Sequence, residues 1–133
     1  MSKKIIVLFI ILSLGACANH YEGMHNVELR ELQGQYLGNP TAFEKSYNGK
    51  EIAVKRAFVH DVDVASKPGG ILLGLYKPYV FTYIPGDDLF KIRKFQFIDV
   101  ACTVDYHNMR VFETAKFSLL DCKVLDTDTD TFF

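Results

Sequence analysis

Tryptophan is absent from the 133 residues, cysteine occurs three times and proline four times. Three cysteines exclude a disulfide-dense scaffold, because at most one pair can close within the chain. Fifteen basic against sixteen acidic residues leave a net charge of −1. Such a balance excludes the strongly basic surface from which nucleic-acid affinity mainly comes. No segment repeats, so solenoids and propellers are excluded. No Gly-x-Ser-x-Gly elbow surrounds Ser46, Ser66 or Ser118, and no Cys/His signature surrounds Cys102 or Cys122. The familiar nucleophile constellations are therefore missing, and the chain is expected not to be an enzyme. The longest apolar run, Ile5 to Leu14, falls short of the ~20 residues a spanning helix needs.

That run has a context. Lys3 and Lys4 precede it, and Leu14-Gly15-Ala16-Cys17 closes it with small residues before a cysteine. A positive start, an apolar middle and a small-residue end in this order are the parts of a signal peptide. The last four residues resemble the lipobox of bacterial lipoproteins. The resemblance implies cleavage between Ala16 and Cys17, with acylation of Cys17 (a diacylglyceryl group, then palmitate or a similar acyl chain). More than one acyl chain gives stable anchoring, since each buried CH2 contributes about 0.8 kcal/mol. Ala18, rather than Asp, follows the cysteine. In a Gram-negative host the resemblance then implies the outer membrane.

Removal of residues 1–16 takes away Lys3 and Lys4, leaving 13 basic and 16 acidic residues in one domain of ordinary size. Ala18 to Asn26 is polar and reads as a tether of residues 17–26. The domain is expected over 27–125, with 126–133 as an acidic and aromatic tail. Cys102 and Cys122 remain as a candidate disulfide, which the oxidising exported compartment favours over two buried thiols.

Leu29, Leu32 and Tyr36 share helical spacing within Val27 to Leu37. Asn39-Pro40 is a helix start and Asn48-Gly49 a stop. Lys50 to Val64 alternates as a long strand, with Ile52, Val54 and Phe58 on one side and Lys55, Ala57 and Val59 on the other. Ser66 to Gly70 and Pro85-Gly86-Asp87-Asp88 are turns. Ile71 to Tyr76, Tyr79 to Ile84, Leu89 to Val104 and Arg110 to Leu125 read as strands, the third bent or double. Tyr106 to Met109 is a turn. The expected fold is mainly β: a small barrel or sandwich with one or two short N-terminal helices.

Asn39, Ala42 and Phe43, then Tyr47-Asn48-Gly49-Lys50 leading into Glu51-Ile52-Ala53-Val54, resemble the OB-fold proteins of the tRNA-anti-like family. Phe97 to Cys102 resembles that family's middle strand, and Leu119 to Lys123 its terminal strand. The resemblance implies an OB-like barrel. Two departures stand out. The first strand usually carries a Gly where this chain has Arg56 or Ala57, and the helix between the third and fourth strands is missing or short after Cys102.

Candidate sites follow from local chemistry. His60, Asp61 and Asp63 are metal-ligand types, but a strand turns His60 and Asp61 to opposite faces. Asp126, Asp128 and Asp130 have calcium-loop spacing without its Gly or Glu. Lys91, Arg93 and Lys94 interleave with Phe90, Phe95 and Phe97, as single-strand binders do. Phe95 and Phe97, however, share a parity that points them to the core. No metal, cofactor or nucleic-acid partner is expected. The leading expectation is a lipid-anchored outer-membrane protein, facing the periplasm or the surface. It would meet another envelope protein in secretion, envelope assembly or exclusion. The alternative is a small-molecule or glycan module using Tyr76, Tyr79 and Tyr83.

Overall fold

The computed structural model describes residues 20–63, 70–107 and 114–127. Ala16, Cys17, Ser66 and the tail beyond Thr127 lie outside the described residues, as does the second half of the turn expected at 106–109. The elements are β1 (His25–Glu28), α1 (Leu29–Gly38), α2 (Pro40–Tyr47), β2 (Glu51–Asp63), β3 (Gly70–Leu73), β4 (Tyr79–Tyr83), a 3-10 turn (Gly86–Lys91), β5 (Phe97–Tyr106) and β6 (Thr114–Thr127).

Five strands close into a barrel. β2 pairs antiparallel with β3 along one part and with β5 along another; β3 pairs with β4, β4 runs parallel to β6, and β6 pairs with β5. β1 adds parallel to the start of β2. The fold is mainly β, as the sequence implies; of the barrel and the sandwich that the sequence left open it is the barrel, and it is OB-like, as the resemblance implies. The helices behave as expected. Leu29, Leu32 and Tyr36 are buried on α1, and Phe43 and Tyr47 on α2. Pro40 occupies the first turn, and the Asn39 side chain accepts from the Ala42 amide at 3.1 Å. The polar stretch 17–26, expected as a tether, is folded in its described part. Tyr21 donates through its hydroxyl to Asp99 at 2.6 Å, and β1 begins at His25. Val27, placed in a helix by its spacing, belongs to β1 because its backbone joins β2 instead.

Bulges reset the side-chain parity. In β2, Lys55 and Arg56 oppose one residue of β5, and Arg56 adopts φ 50°. A strand's faces alternate with period two, so an inserted residue exchanges them. Ile52 and Val54 face the core before the bulge, Ala57 and Val59 after it. Phe58 is thereby turned outward, contrary to the alternation read from the sequence. It meets Phe97 at 5.3 Å and Phe95 at 6.1 Å between ring centroids. Phe95 and Phe97 are likewise outside the barrel and not in its core. The bulge leaves the Arg56 amide off the ladder, and Asp99 Oδ1 accepts from it at 2.9 Å.

Arg56, one of the two positions where the resemblance would put a glycine, takes the left-handed backbone conformation. Such a conformation costs a non-glycine residue ~1–2 kcal/mol. Arg56→Gly is expected to leave stability within about 0.5 kcal/mol, since relief of strain offsets the added freedom of the unfolded chain. Arg56→Val, β-branched, is expected to cost about 2 kcal/mol. Urea unfolding of the two variants checks this, and equal costs would mean that the conformation is not what constrains position 56.

The segment Leu89 to Val104 is not continuous strand. Leu89 ends in the 3-10 turn, buried with Ile92, and β5 starts only at Phe97. That turn lies between β4 and β5, the third and fourth strands of the barrel. The short helical element thus precedes Cys102 rather than following it.

Candidate functional site

β4 reads Tyr79-Val80-Phe81-Thr82-Tyr83, and its burial alternates with the strand period. Val80 and Thr82 are fully buried, whereas Tyr79, Phe81 and Tyr83 stand half-buried on the outer face. Phe81 and Tyr83 are parallel within 8°, with centroids 6.0 Å apart. Tyr79 stacks on His60 of β2 at 4.0 Å and 13°. Leu72 of β3 lies opposite Phe81, half-buried on the same outer surface. On the other flank, Ser118 of β6 is in register with Phe81. The result is a row of outward rings made of two stacked pairs, His60–Tyr79 and Phe81–Tyr83, with Leu72 beside it.

What holds the row in place lies at the approach to β4. Gly74 has φ 136°, and a Cβ there would come within 2.9 Å of Gln33 Nε2 and 3.4 Å of Tyr79 Cδ1. Gln33, buried on α1, donates to the carbonyl of Pro78 at 2.9 Å, after a cis Lys77–Pro78 bond. Tyr76 precedes the strand and is exposed.

Of the three tyrosines read from the sequence, the fold brings Tyr79 and Tyr83 onto one row and leaves Tyr76 beside it. Phe81, between them, was missed; its parity with Tyr79 and Tyr83 was the available signal. His60 was also missed as a stacking partner, because its contact with Tyr79 crosses strands. Asp61, next to it, pairs with Lys94 at 3.5 Å and accepts from the Val62 amide. Among the described residues no three His, Cys, Asp or Glu side chains gather as a metal site.

Two other features carry less chemistry. His107 Nε2 lies 2.9 Å from Ser118 Oγ. A nucleophilic serine needs its base oriented by a third group. Here His107 Nδ1 is buried without a hydrogen-bond partner. The pair is a local contact between the end of β5 and β6. An open hollow of about 400 Å³ lies along α1 and α2, with Gln35, Asn39, Phe43 and Tyr47 in its wall. The Tyr47 hydroxyl already donates to Gln35 Oε1 at 2.6 Å, and burial raises its pKa above the ordinary phenol value. The Asn39 oxygen is occupied by the cap on α2.

Cys102 and Cys122 are joined, with Cα atoms 4.3 Å apart. Both are buried in the barrel core.

No protein-family model matches the sequence, and no curated protein matches it. Among solved structures, a protein described as an aspartyl-tRNA synthetase from Leishmania major Friedlin is similar, with a TM-score of 0.54 and 13% identity. The match covers 83% of this chain and 22% of that one, so this chain spans about a fifth of that protein's length. At this identity the likeness is one of fold alone, and it agrees with the OB-like barrel.

Proposed function

We propose that this chain is a non-enzymatic, lipid-anchored binding module of the bacterial envelope, held at the outer membrane through acylated Cys17. Its contact surface is the aromatic row of β4. The supporting observation is the position of that row. β3 and β4 are the second and third strands of the barrel, and the outer face of those strands is where OB-folds take their ligands. A fold of this kind hosts many functions, so the reading rests on the row rather than on the barrel. The partner we favour is an envelope protein, because aromatic side chains are enriched at the centres of protein interfaces. The tRNA-anti-like resemblance at Asn39 to Val54 agrees with a small exported module. The acidic balance of the mature chain weighs against nucleic acid.

A glycan is the second reading. The Phe81–Tyr83 pair, 8° between planes, offers aromatic faces on which a sugar ring could lie, with the His60–Tyr79 stack beside it.

Globomycin treatment and Cys17→Ser are both expected to change processing and to release the protein from membranes. Unchanged fractionation under both would sink the anchor. For the row, the triple variant Tyr79→Ala, Phe81→Ala, Tyr83→Ala is expected to lose in-cell photo-cross-linking to its dominant partner while keeping a cooperative melt. If the cross-link survives and a glycan array yields no thermal shift with the native chain, the row is not the contact surface.

A further inference from the structure

We propose that the outer face of the β2–β5 seam, carrying Phe95 and Phe97 over the buried ring of Phe58 with Arg56 and Lys94, lies on the lipid bilayer itself. The proposal rests on the reading of Cys17 as acylated, and says which way the domain then faces. The chain enters the fold at this seam. Tyr21 is bonded through its hydroxyl to Asp99 Oδ2, and Oδ1 of the same carboxylate holds the Arg56 amide. Asp99 and Phe97 are two residues apart on one strand, hence on one face about 7 Å apart. Cys17 is four residues before Tyr21, and fully extended chain covers at most ~3.6 Å per residue. The acyl attachment point is therefore within about 14 Å of the Tyr21 backbone, whose side chain reaches the seam at Asp99.

The cluster has the composition of a bilayer-facing surface. Phe97 opposes Phe58 across the strand pair, and Phe95 stacks on Phe58. Arg56 and Lys94 lie over these rings, at 5.8 Å from the Phe97 centroid and 5.6 Å from the Phe95 centroid, each also paired with a carboxylate, Glu28 at 3.6 Å and Asp61 at 3.5 Å. Their side chains are about half exposed, at 55% and 53%. Apolar rings with cationic heads at the rim match acyl chains with headgroup phosphates above them. Phe95 is also 41% exposed while its backbone sits at φ 67°, a conformation that a bulky residue avoids. The fold thus bears a backbone cost at a residue whose ring it presents to the outside. Barrel order supplies the last argument. β4 shares edges with β3 and β6 only, so Phe81 and Tyr83 stand away from the β2–β5 seam, while Tyr79 at the other end of the row reaches His60 of β2. A domain resting on the seam leaves the Phe81–Tyr83 end of the row turned away from the membrane.

The absence of tryptophan makes the test direct. Phe95→Trp and Phe81→Trp each place a single tryptophan, excited apart from the seven tyrosines, in the full acylated chain. The proteins are reconstituted into vesicles of phosphatidylethanolamine with phosphatidylglycerol, with or without brominated acyl chains. Phe95→Trp is expected to shift to the blue and to lose most of its emission with brominated lipid. Phe81→Trp is expected to do neither and to remain open to aqueous quencher. Where Phe95→Trp melts without cooperativity, Phe97→Trp gives the same readout. Equal quenching at both positions, or none at the seam, overturns the orientation even when mass and vesicle flotation show an acylated, bound protein. A mass without acyl chains together with failure to float overturns the anchor, and the orientation with it.

Discussion

Replacement of Cys102 and Cys122 together by alanine is expected to lower stability by about 3 kcal/mol, the value for closing a loop of this length in the chain-entropy model. The two positions are 20 residues apart. For a domain of this size the loss corresponds to roughly 10–20 °C in melting temperature. The bond is available because of a bulge. On β6, two residues oppose Cys102 where the ladder skips between Thr103–Leu120 and Ala101–Lys123, and Asp121 takes φ 52°. The skip returns Cys122 to the core face, on which Cys102 already lies. With exposures of 0% and 3%, both sulfurs are shielded. Reductant in native buffer is therefore expected to leave the bond intact, and to act once denaturant opens the barrel. Alkylation in denaturant, with and without prior reduction, reads this by mass. Labelling of both thiols without reductant, or an alanine pair that melts with the native chain, would refute the bond's role. Alanine is the informative replacement, since serine would bury two hydroxyls in an apolar site.

Phe117→Ala is expected to cost about 3–5 kcal/mol, a large part of the 5–15 kcal/mol typical of whole domains. Phe117 is fully buried on β6, and its ring meets Phe43 at 4.6 Å and Tyr36 at 5.3 Å. Those two residues come from α2 and α1, so one side chain joins both helices to the barrel. The Tyr36 hydroxyl also accepts from the Lys116 amide at 3.0 Å, tying α1 to the same strand. Truncation removes transfer energy and leaves a cavity that a closed barrel cannot collapse to fill. Linear extrapolation of urea unfolding measures the cost. Phe43→Ala combined with Phe117→Ala is expected to cost less than the two single changes added, because they share one contact. A loss below about 1.5 kcal/mol for Phe117→Ala would mean that the helices do not depend on this ring.

Local chemistry was legible where it acts locally. The Asn39–Pro40 start, the Gly49 stop and the buried stripe Leu29, Leu32, Tyr36 follow from spacing and capping, which need only near neighbours. The outer row of β4 was partly legible for the same reason: alternation alone puts Tyr79 and Tyr83 on one face. Parity failed at Phe58, because a bulge at Arg56 reverses the faces and no residue there advertises one. It failed again at Phe95, where a positive φ redirects the chain ahead of β5.

By itself the sequence determined a mainly β domain behind one or two short helices, a near-neutral charge and a cysteine pair. These depend on composition and on contacts a few residues apart. Only the tertiary structure decided which rings are core and which are surface, that Tyr21 is stapled to Asp99 rather than lying in a free tether, and that His60 meets Tyr79. Each joins segments distant in the chain, and each depends on where a ladder gains or loses one residue. With a side-chain period of two, one residue of register moves a ring from the core to the surface.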